Sequence, residues 1–273
     1  MPHIFSYRDE DIYCHHTVDP HPDPEAFSMH AHERMEIFYF ISGQGSYLVE
    51  GSAYPLQPGD ILIMRPAETH RLAISPDEPY ERISFHFAPA LLSGLDPEQQ
   101  LLRPFFDRPL GQGNLYAFSS FGTRLHTAFS DFSFEGISDI RLNLVARLLL
   151  LLTALRGIHD SSDRLYAPAQ SPAGELVTYV NEHLFEDISL QTVSSAFFRS
   201  KSQISRMFRQ ATGSSLWEYV TIKRLLAARA MIQRGESAGD ACTACGFSDY
   251  SAFVRAYRAQ FHHAPKEDTV KKL

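Results

Sequence analysis

Cysteine is scarce in this 273-residue chain: there are three, an odd number that builds no disulfide framework and suits a reducing cytoplasm. Long hydrophobic runs are scarce too. The longest, 142–155, is short for a bilayer and carries Arg147, which speaks against a membrane span. The first ten residues lack the basic-then-apolar order of a secretion signal. No glycine-rich phosphate loop and no nucleophile motif occur, which removes the simplest phosphoryl-transfer and hydrolase readings. The expectation is a cytoplasmic protein that is not an enzyme.

Basic charge is short overall, with a net charge of -7 that argues against a polyanionic partner. The deficit is uneven. From Gly174 onward there are 13 Lys and Arg against 10 Asp and Glu, leaving 12 basic and 22 acidic residues ahead of it. An acidic front and a mildly basic back suggest that only the back meets nucleic acid. Hydrophobic residues at 44% and charged ones at 21% describe ordinary globular protein, long enough for two modest domains.

Short apolar or alternating runs at 35–41, 46–50, 53–56, 60–64, 70–74 and 82–87 are punctuated by Gly43, Gly51, Pro58-Gly59, Pro66 and Pro76. They predict a small antiparallel barrel or sandwich. From Asp96 the period becomes helical, over 97–106, 121–132 and 138–158. The last segment is apolar around much of its girth, which suits packing inside the domain or a seam with a second copy. The Ser-, Pro- and Asp-rich stretch 160–173 reads as a linker. The fold class is α+β multidomain: a barrel at 1–95, a helical extension at 96–159 and an all-α domain at 174–273.

The all-α part contains a repeat. Ser202-Gln-Ile-Ser-Arg-Met-Phe-Arg209 and Ser251-Ala-Phe-Val-Arg-Ala-Tyr-Arg258 share Ser, a large apolar residue, Arg, an aromatic and Arg at an offset of 49. On a helix Ile204 and Phe208, or Phe253 and Tyr257, face a core. Ser202, Ser205, Arg206 and Arg209, or Ser251, Val254, Arg255 and Arg258, face away. Short polar groups beside arginine forks suit a helix lying in a DNA major groove. Capping boxes at Ser200–Gln203 and Ser215–Glu218 start two helices, and 216–234 predicts a connector about 28 Å long. Two reading helices on such a connector reach successive major-groove faces roughly 34 Å apart.

Ser205-Arg206-Met-Phe208-Arg209, Thr212-Gly213, Tyr219, Arg224, Ala227, Cys245-Gly-Phe247, Phe253, Arg255, Tyr257 and Pro265 together resemble the AraC-type (AraC/XylS) family of transcription regulators. The resemblance spans Glu175 to Pro265, a third of the chain. It implies two helix-turn-helix units joined by a long helix. By position it implies base contacts from Ser202, Ser205, Arg206, Ser251, Ala252 and Arg255, with Arg258 beside them. Phosphate contacts fall to Ser200, Lys201, Arg209, Lys223 and the amide of Ser248. The sequence departs from the family where Ala238, Ala241 and Cys242 replace larger aliphatic residues, so the second unit's core should be under-filled and the first unit should dominate affinity. Phe198 stands where glycine is common. Cys242-x-x-Cys245 has redox spacing, but its place in a small core predicts a structural role.

His30-Ala-His32-Glu-Arg-Met-Glu36 with Gly43, and Pro58-Gly59 with His70, resemble the two cupin motifs. In metal cupins the positions of His30, His32, Glu36 and His70 bind a divalent ion, since imidazole and carboxylate suit such metals. In sensor domains of these regulators similar residues contact a small ligand without metal or line the barrel mouth. The expectation is no cofactor, with a divalent metal as the alternative. Strand alternation adds Phe38 and Phe40 to the Glu36 face, and Arg82 and His86 share a face of the last strand. The candidate ligand residues are therefore His30, His32, Glu36, Phe38, His70, Arg82 and His86, for an effector that is a sugar or organic acid. The function expected is ligand-controlled transcription regulation by a homodimer acting with RNA polymerase on promoter DNA. The alternative is a metal-dependent cupin enzyme fused to a DNA-binding domain.

Overall fold

A computed structural model describes residues 3–269 apart from 127, 130, 131, 133, 135 and 162–171, so the 160–173 linker falls almost entirely outside the described residues. The strands are β1 (His3–Arg8), β2 (Ile12–Asp19), β3 (Met35–Ser42), β4 (Gly45–Val49), β5 (Ser52–Pro55), β6 (Ile61–Met64), β7 (His70–Ile74), β8 (Tyr80–Phe87) and β9 (Leu115–Tyr116). They form a six-stranded sheet, β1-β2-β8-β3-β6-β9, and a three-stranded sheet, β5-β4-β7, with antiparallel neighbours throughout. β3 is apolar on both faces because each face meets a core. Phe38 and Phe40 pack between the sheets with Tyr47, Tyr54, Leu62 and Leu72. Met35, Ile37 and Tyr39 pack outward against helices.

Those helices are α1 (Arg103–Phe106), α2 (Phe118–His126) and α3 (Ile140–Asp160). The helix expected over 97–106 is only a 3-10 turn at Gln100–Leu102 running into α1. Gln99 is left-handed at φ 54°, which stops helix ahead of it. α2 begins earlier than expected because Asp60 Oδ1 accepts from the Phe118 amide at 2.9 Å. α3 starts at Asp139, whose carboxylate accepts from the Leu142 amide at 2.8 Å. Its 21 residues are long and apolar enough to cross a membrane by length and composition, more than the 142–155 run suggested. Leu144, Leu148, Leu151, Leu152, Leu155 and Ile158 are instead buried in the core behind β3. Leu142 and Leu150 remain exposed.

The rest is α4 (Pro172–Glu182), α5 (Leu190–Ala196), α6 (Lys201–Thr212), α7 (Leu216–Gln233), α8 (Ala238–Ala244) and α9 (Tyr250–Phe261), closed by a 3-10 turn at Pro265–Glu267. Ser189, Ser200 and Ser215 each close a capping box, and Gly213 ends α6 at φ 81°. α7 serves two cores. Leu216, Tyr219 and Val220 join Leu176, Val180, Ile204 and Phe208, while Leu225, Ala228 and Ile232 join Phe253 and Tyr257. α8 adds the buried Ala241 and Cys242 and the partly buried Ala238 to the second core, so that core is built from smaller side chains. Between the cores the buried Arg224 donates to the carbonyls of Leu184, Glu186 and Gly246 at 2.6–2.7 Å, strapping both units to the shared helix.

Candidate DNA-binding face and effector cavity

The repeat folds as its spacing requires. Ile204 and Phe208 of α6, and Phe253 and Tyr257 of α9, are buried. Ser202, Arg206, Arg209, Ser251, Arg255 and Arg258 are exposed, with Ser205 and Ala252 half-buried beside them. Ser200, Lys201 and Ser248 are exposed at or near the helix starts. Ser200 accepts from the Gln203 amide, and Asp249 accepts from the Ala252 amide.

Lys223 is the exception and corrects the expectation of a phosphate contact. Its side chain is 6% exposed, and Nζ meets Glu50 Oε1 of the barrel at 2.8 Å and the Ala67 carbonyl at 2.8 Å. An ammonium held this way is out of reach of DNA. The Glu50 carboxylate, itself 1% exposed, also accepts from the Thr69 amide, from Asn181 Nδ2 and from the Tyr219 hydroxyl. The next residue, Gly51, lies so close to α4 that a Cβ there would sit 2.9 Å from Val177. The β4–β5 turn is thus inserted against α4 and α7.

A cavity of about 710 Å³ opens at the barrel mouth. His30, His32, Glu36, Phe38, Arg82 and His86 line it, as do Leu226, Arg229, Gln260 and Phe261 from α7 and α9. His70 does not line it; fully buried, it lies under Glu36 and supports it, Nε2 to Oε2 at 3.0 Å. Phe40 is sealed in the core between the sheets. β3 and β7 carry Glu36 and His70, and the loop before β3 is stapled to β7 by reciprocal backbone bonds of His30 with His70.

Each of three imidazoles is oriented by a carbonyl: Nδ1 of His30, His32 and His70 faces Ser28 O, Arg34 O and Glu68 O at 3.1, 2.9 and 2.7 Å. A carbonyl only accepts, so each Nδ1 carries a proton. Nε2 of His32 and of His70 then turns to Glu36 Oε2, at 3.1 and 3.0 Å. Burial alone would raise the Glu36 carboxyl, but His86, His32 and His70 outweigh it and hold the group well below its usual range. Burial pushes His86 down to about 4. One ligand atom from each of His30, His32, Glu36 and His70 falls within 4.8 Å of the others.

Residues 17–125 match the family described as AraC-like ligand binding domain, and residues 193–269 match a helix-turn-helix domain. The chain belongs to the AraC-type family of transcription regulators. The HTH-type transcriptional activator RhaS of Enterobacter sp. (strain 638) is 24% identical over 266 residues, 92% of this chain and 90% of that protein. The regulatory protein SoxS of Escherichia coli is 28% identical over 94 residues, 34% of this chain and 88% of that one. Among solved structures, ToxT from Vibrio cholerae covers 96% of this chain and all of its own, at 10% identity and a TM-score of 0.40, too loose a match to carry detail. This AraC-type chain is thus a DNA-binding transcription regulator with a ligand-binding barrel.

Sequence reasoning missed several cavity residues of the regulator. Tyr13 and His15 come from β2, which alternates them with Ile12 and Cys14 of the outer core; that alternation was the available signal. Tyr80, Phe27 and Arg229 carried none, because their place depends on how distant segments meet. Cys242 and Cys245 are buried, and burial raises both thiols, Cys245 to about 11, as suits packing rather than redox chemistry.

Proposed function

We propose that this regulator reads two successive major-groove faces, with Ser202, Ser205 and Arg206 of α6 and Ser251, Ala252 and Arg255 of α9 at base edges. Ser200, Lys201, Arg209, Arg258 and the Ser248 amide hold phosphates. A small molecule in the barrel cavity sets the affinity. The observation that carries this reading is the cavity itself, whose walls come from both the barrel and the DNA-binding helices. Glu33 lies between the cavity residues His32 and Arg34 and meets Arg229 NH1 at 2.9 Å. Arg229 grips Asp268 at 2.9 and 3.2 Å, and Asp268 accepts from the Tyr257 hydroxyl of α9. An occupant that moves the His30–Glu36 loop therefore acts on the second reading helix through three polar contacts, shifting the population of DNA-competent arrangements. We further infer a cytoplasmic homodimer, joined at the exposed Leu142 and Leu150 of α3, that activates transcription with RNA polymerase and has no enzymatic activity.

Operators selected from random duplexes test the DNA half. Arg206→Ala and Arg255→Ala should each cost about 1–3 kcal/mol and relax specificity at different positions. The first should cost more, given the small side chains of the second core; the reverse order refutes that ranking. Ser84→Phe, which fills the cavity from β8, tests the other half. A reporter whose response is untouched by that substitution refutes ligand control.

The histidine orientations favour a second reading of the same cluster, in which it holds a divalent metal. Metal-ligating histidines donate one ring N–H to a carbonyl and turn the other nitrogen to the ion. His30, His32 and His70 each have Nδ1 on a carbonyl, and the four ligand atoms lie within 4.8 Å of one another, so the donor set fits. His30, His32, Glu36 and His70 would hold the ion, which would supply a Lewis-acid centre. Stoichiometric metal in the purified protein supports this, and turnover lost in His32→Ala would move the assignment to an enzyme.

A further inference from the structure

A buried cation ordinarily has a partner. The fully buried ones here obey the rule: Arg108 meets Glu68, Lys223 meets Glu50, and Arg224 meets three carbonyls. Arg82 does not. It lines the cavity from β8, half-buried, and its NH1 is out of contact with water and has no hydrogen-bond partner. Among the described residues no carboxylate reaches it within 4.0 Å. Its guanidinium sits 5.2 Å from the Tyr80 ring centre and 5.7 Å from that of Phe27, contacts that orient the fork without neutralising it. The Tyr80 hydroxyl beside it is also buried and has no acceptor. Burial raises its pKa, so it remains a phenol and a donor. Arg82 and Tyr80 touch one another but have no anionic acceptor, and the two meet at one end of the cavity.

The other end has the opposite character. Glu36 brings carboxylate oxygens to the cavity wall, and it pairs across the sheet with His86, four residues along the same face of β8 from Arg82. That separation is about 13 Å between Cα atoms. Midway the small Ser84 leaves room, opposite the Phe38 and Tyr47 rings, whose centres are 4.7 Å apart.

We propose that the effector is a cyclic hydroxy acid: its carboxylate is forked by Arg82 and receives the Tyr80 hydroxyl, and its ring lies over Ser84. A hydroxyl at its far end donates to Glu36. This rests on the reading of the cavity as the effector site, and it selects an acid over a neutral sugar. A fork-to-carboxylate pair in a water-poor pocket supplies both affinity and discrimination, since a neutral analogue leaves the guanidinium unpaired.

Matched pairs that differ only in the acid group test this by calorimetry on the full-length protein. D-glucuronate is set against D-glucose, and 3-hydroxybenzoate against 3-hydroxybenzyl alcohol. One acid should bind at least tenfold more tightly than its neutral partner, and which acid does so tells a sugar ring from an aromatic one. Arg82→Met should abolish that preference while leaving the unliganded Tm unchanged or raised, because it removes an unpaired charge. Arg82→Lys should retain part of it. Equal binding within both pairs, no binding by either acid, or an acid preference that survives Arg82→Met overturns the proposal. A lowered Tm in unliganded Arg82→Met also counts against it, since that marks a packing role. Operator affinity separates this from the reading beneath it. If the acid binds through Arg82 but DNA affinity ignores it, effector control fails and the anion site stands. If a neutral sugar changes DNA affinity equally in wild type and Arg82→Met, effector control stands and the acid assignment fails.

Discussion

Lys223→Met should loosen the barrel from the DNA-binding helices, and the size of the effect follows from the geometry. Lys223 and Glu50 are both buried and 2.8 Å apart. Removing the ammonium leaves a carboxylate with the Thr69 amide, Asn181 and Tyr219 but without a countercharge. Breaking one side of such a pair costs about 3–5 kcal/mol. Glu50→Gln should cost a similar amount, because Lys223 then has only neutral carbonyl acceptors and no countercharge. The double variant removes both charges, so its cost should fall toward that of the lost hydrogen bonds, about 1–2 kcal/mol. The single costs should therefore exceed the double cost by several kcal/mol, well outside the few tenths expected of independent sites. The chain's one tryptophan, Trp217 on α7, gives a local fluorescence signal for denaturant titrations of the full-length protein. Additive single costs, or a Lys223→Met cost below about 1 kcal/mol, would show that the contact is incidental. The same variant addresses DNA: with Lys223 held by Glu50, the salt dependence of operator binding should be unchanged, whereas Lys201→Ala should reduce its slope by about 0.9.

Phe198, between α5 and α6, is left-handed at φ 51° and 96% exposed. Phe198→Gly should raise stability by about 1 kcal/mol by relieving that conformation, and a lower Tm would contradict this. Burial would raise the Glu68 carboxyl, but Arg108, the Gly111 amide and the Arg65 amide overcome it and lower it below 4.5. A folded value under the unfolded one stabilises the protein above about 4.5, and the gain disappears as pH falls through the folded value. Glu68→Gln should therefore flatten the acid limb of stability against pH while lowering the plateau; an unchanged acid limb would show that other groups control it. Arg224→Lys keeps the charge but cannot reach the carbonyls of Leu184, Glu186 and Gly246 together, and should cost about 2–4 kcal/mol by thermal unfolding.

The strands from β3 to β8 were legible because glycine and proline punctuate them and their faces alternate. β1 and β2 were not, since Tyr13, His15 and His16 dilute the apolar pattern. The exposed faces of α6 and α9 could be read almost residue by residue, because a repeat at fixed offset places the same side chains on the same face of two helices. Lys223 misled for the opposite reason: its partner, Glu50, is far away in the chain, and no local pattern distinguishes a lysine held by another domain from one facing solvent. The cluster of His30, His32, Glu36 and His70 was visible as a motif. The orientation of its imidazoles was not, since that depends on carbonyls at Ser28, Arg34 and Glu68. Arg82 stood out as a cavity residue from strand alternation, but its lack of a counterion emerges only when every neighbour is in place.

One helix feeding both small cores, strapped at its middle by Arg224, leaves the two reading heads little freedom to swivel. The pair should behave as a fixed gauge laid along the duplex. One base pair inserted between the two contacted segments would rotate the second by about 35° away from α9. Promoters under this control should therefore tolerate many changes of letter in that spacer but not a change in its length.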